Sequence, residues 1–126
     1  MSGEQRPIAR IWRGRTPASK AAEYLEFLRR KGLAGYHATG GNLGVQVLLR
    51  TEGNVSEFLL VSYWDGYDAI RRFAGPEPER AVYYPEDDEF LLEKEPTVMH
   101  YEVISGAEPP FALPRGPAKR RAGSRA

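Results

Sequence analysis

The sequence of 126 residues contains no cysteine and two histidines, and it has no long apolar run. Without cysteine there are no disulfide bonds and no thiolate chemistry, which fits a reducing compartment. No segment approaches the length of a membrane span, and residues 1–6 lack the apolar core of a signal peptide. We therefore expect a single-domain cytoplasmic protein without a membrane partner.

The sequence also lacks the patterns of three kinds of ligand site. His37 and His100 have no second ligand at metal spacing, so His37 is expected on the surface. The glycine-rich stretch from Gly35 to Gly44 lacks the GK[ST] ending of a phosphate loop and predicts an irregular, bulged lead into a strand. The acidic run from Glu86 to Glu89 lacks the alternation of a calcium loop and predicts a solvated turn.

Charge is nearly balanced at +1 but unevenly distributed. Five of the 18 basic residues and one of the 17 acidic residues lie after Ser105, in a stretch rich in Pro, Gly and Ala. We predict that residues 105–126 form a disordered basic tail, that residues 1–7 form a short lead, and that residues 8–104 form the domain. The tail could be a nucleic-acid arm or a solubilising end. Because no aromatic residue is interleaved with its charges to stack on bases, no nucleic-acid partner is predicted.

The segment from Ser56 to Gly75 predicts a strand, a turn and a helix. Its apolar and aromatic run up to Trp64 is typical of a central strand covered on both faces. Asp65 is the expected N-cap of the next helix, which should end at Gly75 because Pro76 follows. Trp64 at this corner is either a wall of a ligand pocket or ordinary packing.

The remaining elements follow from the same patterns of apolar residues and breakers. A strand is predicted from Ile8 to Arg15 with Arg10 and Trp12 on one face, where Arg10 makes a cation–π or anion-binding contact or lies in solvent. A helix is predicted from Thr16 and Pro17 to Gly32, and a hairpin joins a strand at Val45–Arg50 to the strand at Ser56. A helical turn is predicted at Glu79–Tyr83 and a last strand at Thr97–Ile104. Between them, Phe90–Leu92 are expected to pack against another subunit.

This order is βαββαβ, which predicts an α+β, ferredoxin-like fold with an antiparallel sheet and helices on one face. So short a chain cannot cover the second sheet face with helices of its own. We therefore expect a homodimer in which a second copy covers that face.

Three stretches resemble the antibiotic biosynthesis monooxygenase family of dimeric α+β barrels, over roughly residues 8 to 104. They read IARIWRGRTPASKAAEYLEFL, EFLLVSYWDGYDAIRRFAG and VMHYEVI, and the most family-like feature is Trp64 followed by a helix containing Ala69 and Phe73. The resemblance implies a dimer with a cavity between sheet and helices in each subunit. Cofactor-free members of the family oxidise phenolic polyketides there, and a second branch binds and degrades haem.

Departures from the family pattern refine this expectation. Phe73 stands where many members have a histidine, and the haem-degrading branch has an asparagine and a histidine where this chain has Arg10 and, approximately, Tyr83. The prediction is therefore a cofactor-independent, monooxygenase-like protein that binds a small phenolic or quinone-like ligand, without cofactor or metal. The alternative is a non-catalytic dimeric binding or regulatory module. The predicted ligand-binding residues are Arg10, Trp12, Trp64, Phe73, Tyr83 and Tyr84, and no catalytic residue is predicted.

Overall fold

The computed structural model of the protein describes residues 6–106. The predicted tail lies outside the described residues except for Ser105 and Gly106, and the predicted lead lies outside them except for Arg6 and Pro7.

Four strands form one antiparallel sheet in the order β2-β3-β1-β4. The strands are β1 (Ile8–Pro17), β2 (Asn42–Glu52), β3 (Val55–Trp64) and β4 (Met99–Glu102). This order, with the helices between β1 and β2 and between β3 and β4, confirms the predicted α+β, ferredoxin-like fold. β3 lies inside the sheet as its apolar run predicts, and a register shift at Asn42 and Gly44 confirms the bulged lead into β2.

β4 is shorter than the predicted strand at Thr97–Ile104. The backbone N–H of Val98 donates to the carbonyl of Glu79, and Thr97 pairs with Arg80 in an isolated bridge. The start of the predicted strand is therefore hydrogen-bonded to a neighbouring loop and not to β1.

The helical segment after β1 differs from the prediction at both ends. Thr16 and Pro17 belong to β1, so neither begins a helix. Helical turns follow as a 3-10 turn at Ala18–Lys20, α1 (Ala21–Phe27), a π-helical turn at Leu28–Gly32 and α2 (Ala34–Ala38).

The predicted loop after Gly32 is thus wrong over α2. A Cβ on Gly35 would lie 3.0 Å from the hydroxyl of Tyr84, so this glycine leaves room for a tyrosine and does not break the helix. His37 is exposed on α2, which confirms the predicted surface position although not the loop.

The expected N-cap of α3 (Tyr67–Ala74) is also wrong. Gly66 occupies that position, and no side chain caps the helix. Asp65 is exposed, and its backbone N–H donates to the carbonyl of Gly41 at 2.9 Å, which keeps it in line with β3. The predicted end of the helix is confirmed by Gly75, whose φ of 99° suits a residue without a side chain.

Residues 75–98, here called the strap, connect α3 to β4. Their helical turn is a 3-10 turn at Pro85–Glu89 and not at Glu79–Tyr83 as predicted. Asp87 within it is buried, so the prediction of a solvated turn is wrong for that residue. Phe90 stacks on Phe27 of its own chain with ring centroids 6.0 Å apart, so its burial needs no second subunit.

The main core cluster of residues 6–106 lies on the inner face of the sheet. Ile8, Trp12, Phe58, Leu60 and Trp64 point from this inner face into the helical layer. The outer face exposes Leu48, Met99 and Tyr101 around Ile11 and Val61. In residues 6–106 no helix is long and apolar enough to span a membrane.

Candidate functional site

A small cavity lies between the inner face of the sheet, the helical layer and the strap. Its volume of about 20 Å³ is enough for roughly one or two water molecules. Aromatic rings make up much of its wall, and a cation and a carboxylate are among its polar groups. The lining residues are Arg10, Trp12, Tyr24, Phe27, Leu28, Gly32, Tyr36, Leu60, Phe73, Val82, Tyr84 and Asp87.

Arg10 brings a buried positive charge to this cavity, because alternation along β1 turns it to the inner face. Its Nη2 donates to the carbonyl of Arg80 at 2.7 Å, and its guanidinium carbon lies 5.4 Å from the ring centroid of Phe73. Nε is buried without a hydrogen-bond partner. Arg10 takes part in none of the ion pairs formed among residues 6–106.

Burial lowers the pKa of Arg10 from its ordinary value. An arginine nevertheless keeps its charge in proteins, and a buried charge is normally paired. Arg10 is therefore suited to bind an anion or a hydrogen-bond acceptor in the cavity.

Trp12 provides a second unsatisfied donor on the same strand. Its Nε1 is buried and has no hydrogen-bond partner in the described part of the chain. The indole lies over Gly14, where a Cβ would overlap the ring. The absence of a side chain at Gly14 therefore leaves the space that the indole occupies.

Asp87 contributes a buried carboxylate from the strap. The hydroxyl of Tyr24 donates to its Oδ1 at 2.8 Å, and the backbone N–H of Tyr84 donates to its Oδ2 at 2.7 Å. No Lys, Arg or His within residues 6–106 forms an ion pair with it. Burial raises the pKa of Asp87 above its ordinary value and raises the pKa of Tyr24 strongly.

Tyr36 of α2 adds a neutral phenol to the cavity wall. Its ring stacks on Phe73 with centroids 4.5 Å apart. Burial raises the pKa of Tyr36 to about 12, although the positive charge of Arg10 acts in the opposite direction. The hydroxyl therefore stays protonated near neutral pH and can donate a hydrogen bond.

The structure brings four of the six predicted ligand-binding residues together. Arg10, Trp12, Phe73 and Tyr84 line the cavity. Trp64 does not, because it is fully buried behind Phe73, with ring centroids 5.4 Å apart and its Nε1 donating to Ser62 Oγ. Of the two alternatives given for Trp64, a pocket wall or ordinary packing, its position in the structure corresponds to packing.

Tyr83 also stands outside the cavity wall. Its hydroxyl donates to the carbonyl of Glu95 at 2.6 Å, and its ring meets the edge of Trp12 at 6.1 Å. It supports the indole from outside the cavity.

Sequence reasoning missed the lining residues Tyr24, Tyr36 and Asp87. Tyr24 lies within the helix predicted up to Gly32, Tyr36 lies in a predicted loop, and Asp87 lies in a run of acids. The one available indication was the spacing of Tyr84 and Asp87, because an acid three residues after a segment start can accept its backbone N–H.

Haem ligation does not fit these residues. Tyr83 occupies the approximate position of the haem-branch histidine, but its hydroxyl is held by Glu95. Burial raises the pKa of Tyr83, which disfavours the phenolate that would bind iron. No cluster of three His, Asp or Glu residues suited to a metal ion occurs in residues 6–106.

The two histidines also lie away from the cavity wall. His100 sits opposite Arg10 in the β1–β4 pair, with its ring edge on Tyr67 at 5.4 Å. Burial, and then the charge of Arg10, lowers the pKa of His100, so its imidazole is neutral near pH 7.

No protein-family model and no curated protein sequence matches the chain. Several solved structures match its fold. A protein of unknown function from Nitrosomonas europaea aligns with a TM-score of 0.61 at 15% identity, covering 85% of this chain and 98% of that one.

A putative antibiotic biosynthesis monooxygenase from Bacillus cereus aligns with a TM-score of 0.56 at 15% identity, covering 82% and 99% of the two chains. A heme-degrading protein from Mycobacterium tuberculosis aligns with a TM-score of 0.54 at 17% identity, covering 84% and 100%. At these identities the likeness establishes the fold, and it confirms at that level the resemblance found in the sequence.

Proposed function

We propose that the protein binds a small aromatic anion, phenolic or quinone-like, in the cavity between sheet and helices. The observation that carries this proposal is the buried guanidinium of Arg10, which has an unpaired Nε and no carboxylate partner among residues 6–106. A ligand oxyanion would complete its hydrogen bonds and neutralise its charge. The rings of Trp12, Tyr36 and Phe73 offer flat apolar walls for an aromatic body.

Binding of a ring requires the cavity to open. A space of about 20 Å³ holds water and not an aromatic molecule. Phe73 and Tyr84 are only partly buried, so their side chains can move at lower cost than the fully buried Trp64. The apparent affinity for the ligand is then reduced in proportion to the fraction of molecules in which the cavity is already open.

Two activities are compatible with such a site. In a cofactor-independent oxygenase, the bound anion itself would react with dioxygen while Arg10 stabilises its negative charge. The fold shared with the Bacillus cereus protein favours this proposal. In a non-catalytic binding module the same ligand would bind without turnover, and the absence of histidine from the cavity wall favours this second candidate. Oxygen consumption by the ligand-loaded protein separates the two.

We further propose that two copies pair through their outer sheet faces. Leu48, Met99 and Tyr101 are exposed on that face beside Ile11 and Val61. Exposed apolar side chains grouped on one surface are a common docking surface, and a two-fold axis lets each copy cover the other.

The binding proposal is tested by titrating the protein with para-nitrophenol and a hydroxynaphthoquinone while tryptophan fluorescence is recorded. Arg10→Met should weaken binding about 10- to 100-fold, the value of one charge-assisted hydrogen bond. Arg72→Met is the matched control, because Arg72 also donates to a backbone carbonyl but is exposed on α3. Equal affinities for wild type and Arg10→Met, or no binding of either probe, would overturn the proposal.

A further inference from the structure

Two opposite charges line the same small cavity without pairing with each other. Arg10 and Asp87 are both buried, at 2% and 4% exposure. No ion pair joins them, and neither forms an ion pair with any other residue in 6–106.

Each charge is held in place by neutral groups. The carbonyl of Arg80 binds the guanidinium, whereas the hydroxyl of Tyr24 and the N–H of Tyr84 bind the carboxylate. Separate buried charges cost stability unless something pairs with them. A ligand that places an oxygen near Arg10 and a dissociable proton near Asp87 would satisfy both.

We propose that Asp87 is the proton acceptor for a phenol or enol bound in this cavity, an inference that rests on the proposed binding function. The ligand O–H bond breaks and the proton moves to a carboxylate oxygen of Asp87. The electron pair stays on the ligand oxygen, which faces the guanidinium of Arg10. The step is a proton transfer and needs no oxidant or reductant.

The carboxylate has the capacity to accept this proton. Each oxygen receives one hydrogen bond, from Tyr24 or from the backbone of Tyr84, and keeps a second acceptor position. Burial brings the pKa of Asp87 closer to neutrality, which makes it a stronger base than an exposed aspartate.

The charged and titratable groups around Asp87 do not supply a competing base in the cavity. Tyr24 of α1 and Tyr36 of α2 have raised pKa values and stay neutral. From the strap, Tyr84 also has a raised pKa, Glu86 acts on Asp87 as a like charge, and Lys94 acts as an opposite charge. Of these strap residues, only Tyr84 lines the cavity with Asp87.

The test uses para-nitrophenol below its own pKa, because its phenolate has a distinct absorption band. Calorimetry in two buffers of different ionisation heat counts the protons released on binding. Wild type should bind the probe as phenolate with no net proton release, since Asp87 keeps the proton. Asp87→Asn should bind the probe as neutral phenol, or as phenolate with about one proton released per site.

Asp88→Asn is the matched control, because Asp88 is the next residue, is exposed and pairs with Lys94 outside the cavity. It should behave as wild type. If Asp87→Asn does not fold, Tyr24→Phe provides the test. Losing the donor from Tyr24 should raise the pH at which the complex gives up the retained proton, because a donor to the carboxylate stabilises its charged form.

The outcomes separate the two proposals. Binding that depends on Arg10, with one proton released by wild type as well as by Asp87→Asn, would overturn the role of Asp87 and leave the binding function intact. If the Tyr24→Phe complex gives up the retained proton at the same pH as wild type, the proposed role of Asp87 would also be overturned. Failure of the probe to bind in an Arg10-dependent way would overturn both proposals.

Discussion

Arg10 and Trp64 illustrate how far a single residue can be predicted from its position in a strand. Alternation along β1 assigned Arg10 and Trp12 to one face, and burial confirms that this face points inward. The pattern left open whether Arg10 lies in solvent, because only the strap, 70 residues further along the chain, supplies the carbonyl that it binds. Trp64 lies at the predicted corner between β3 and α3, but Phe73 lies between it and the cavity.

Gly41 occupies a position at which the structure does not tolerate a side chain. Its φ is +94°, and a Cβ there would overlap the Cβ of Ala69 on α3. Gly41→Ala should therefore lower the free energy of unfolding by at least about 1–3 kcal/mol, the usual cost of a strained backbone position.

Gly40→Ala is the matched control for this prediction. No atom lies within 4 Å of a Cβ at Gly40, and its φ is not in the left-handed region. Urea unfolding should show a change below about 0.5 kcal/mol for this variant. Similar losses of unfolding free energy in the two variants would show that contact between position 41 and α3 does not cause the loss of stability.

Among the elements, the sheet was predictable and the strap was not. The unbroken apolar run of β3 and the alternation of β1 are local patterns with a single physical meaning. In the strap, by contrast, the position of the helical turn depends on Asp87, whose carboxylate is held by Tyr24 from another element, 63 residues away in sequence. Contacts of such long range leave no periodic pattern, so both the turn and the cavity carboxylate were missed.

The strap should contribute a distinct pH dependence to stability. Because burial raises the pKa of Asp87 above its ordinary value in the folded protein, ionising it costs more in the folded than in the unfolded state. The contribution of Asp87 is therefore present at low pH and is lost as pH rises through its folded pKa. The free energy of unfolding of wild type relative to Asp87→Asn should fall as pH rises from about 4.

Denaturant unfolding at a series of pH values checks this prediction. The comparison with Asp87→Asn removes the opposite trend that Glu86 and Glu93 contribute, whose pKa values are lowered by Lys31 and Arg15. Asp88→Asn should follow wild type. A difference between wild type and Asp87→Asn that stays constant, or grows with pH, would show that the Asp87 carboxylate is not destabilised by burial.

At the scale of the whole molecule, the outer sheet face predicts a dimer. Leu48 and Leu49 are adjacent on β2 and similarly exposed, at 44% and 50%, but they point to opposite faces of the sheet. Leu48→Glu should convert the dimer to a monomer, because it places a charge in the proposed interface. Leu49→Glu should leave the dimer unchanged.

Multi-angle light scattering at micromolar concentration distinguishes these states. A wild-type monomer would contradict the proposed dimer directly. Dissociation by both variants alike would indicate an interface other than the outer face.

A crystal structure with para-nitrophenol would show whether the buried charge of Arg10 binds the anionic oxygen of an aromatic ligand. We expect a widened cavity, with Phe73 or Tyr84 displaced and the ligand oxygen within about 3 Å of Arg10 Nε. A ligand found only on the protein surface, with Arg10 Nε bonded to an ordered water in an unchanged cavity, would contradict it.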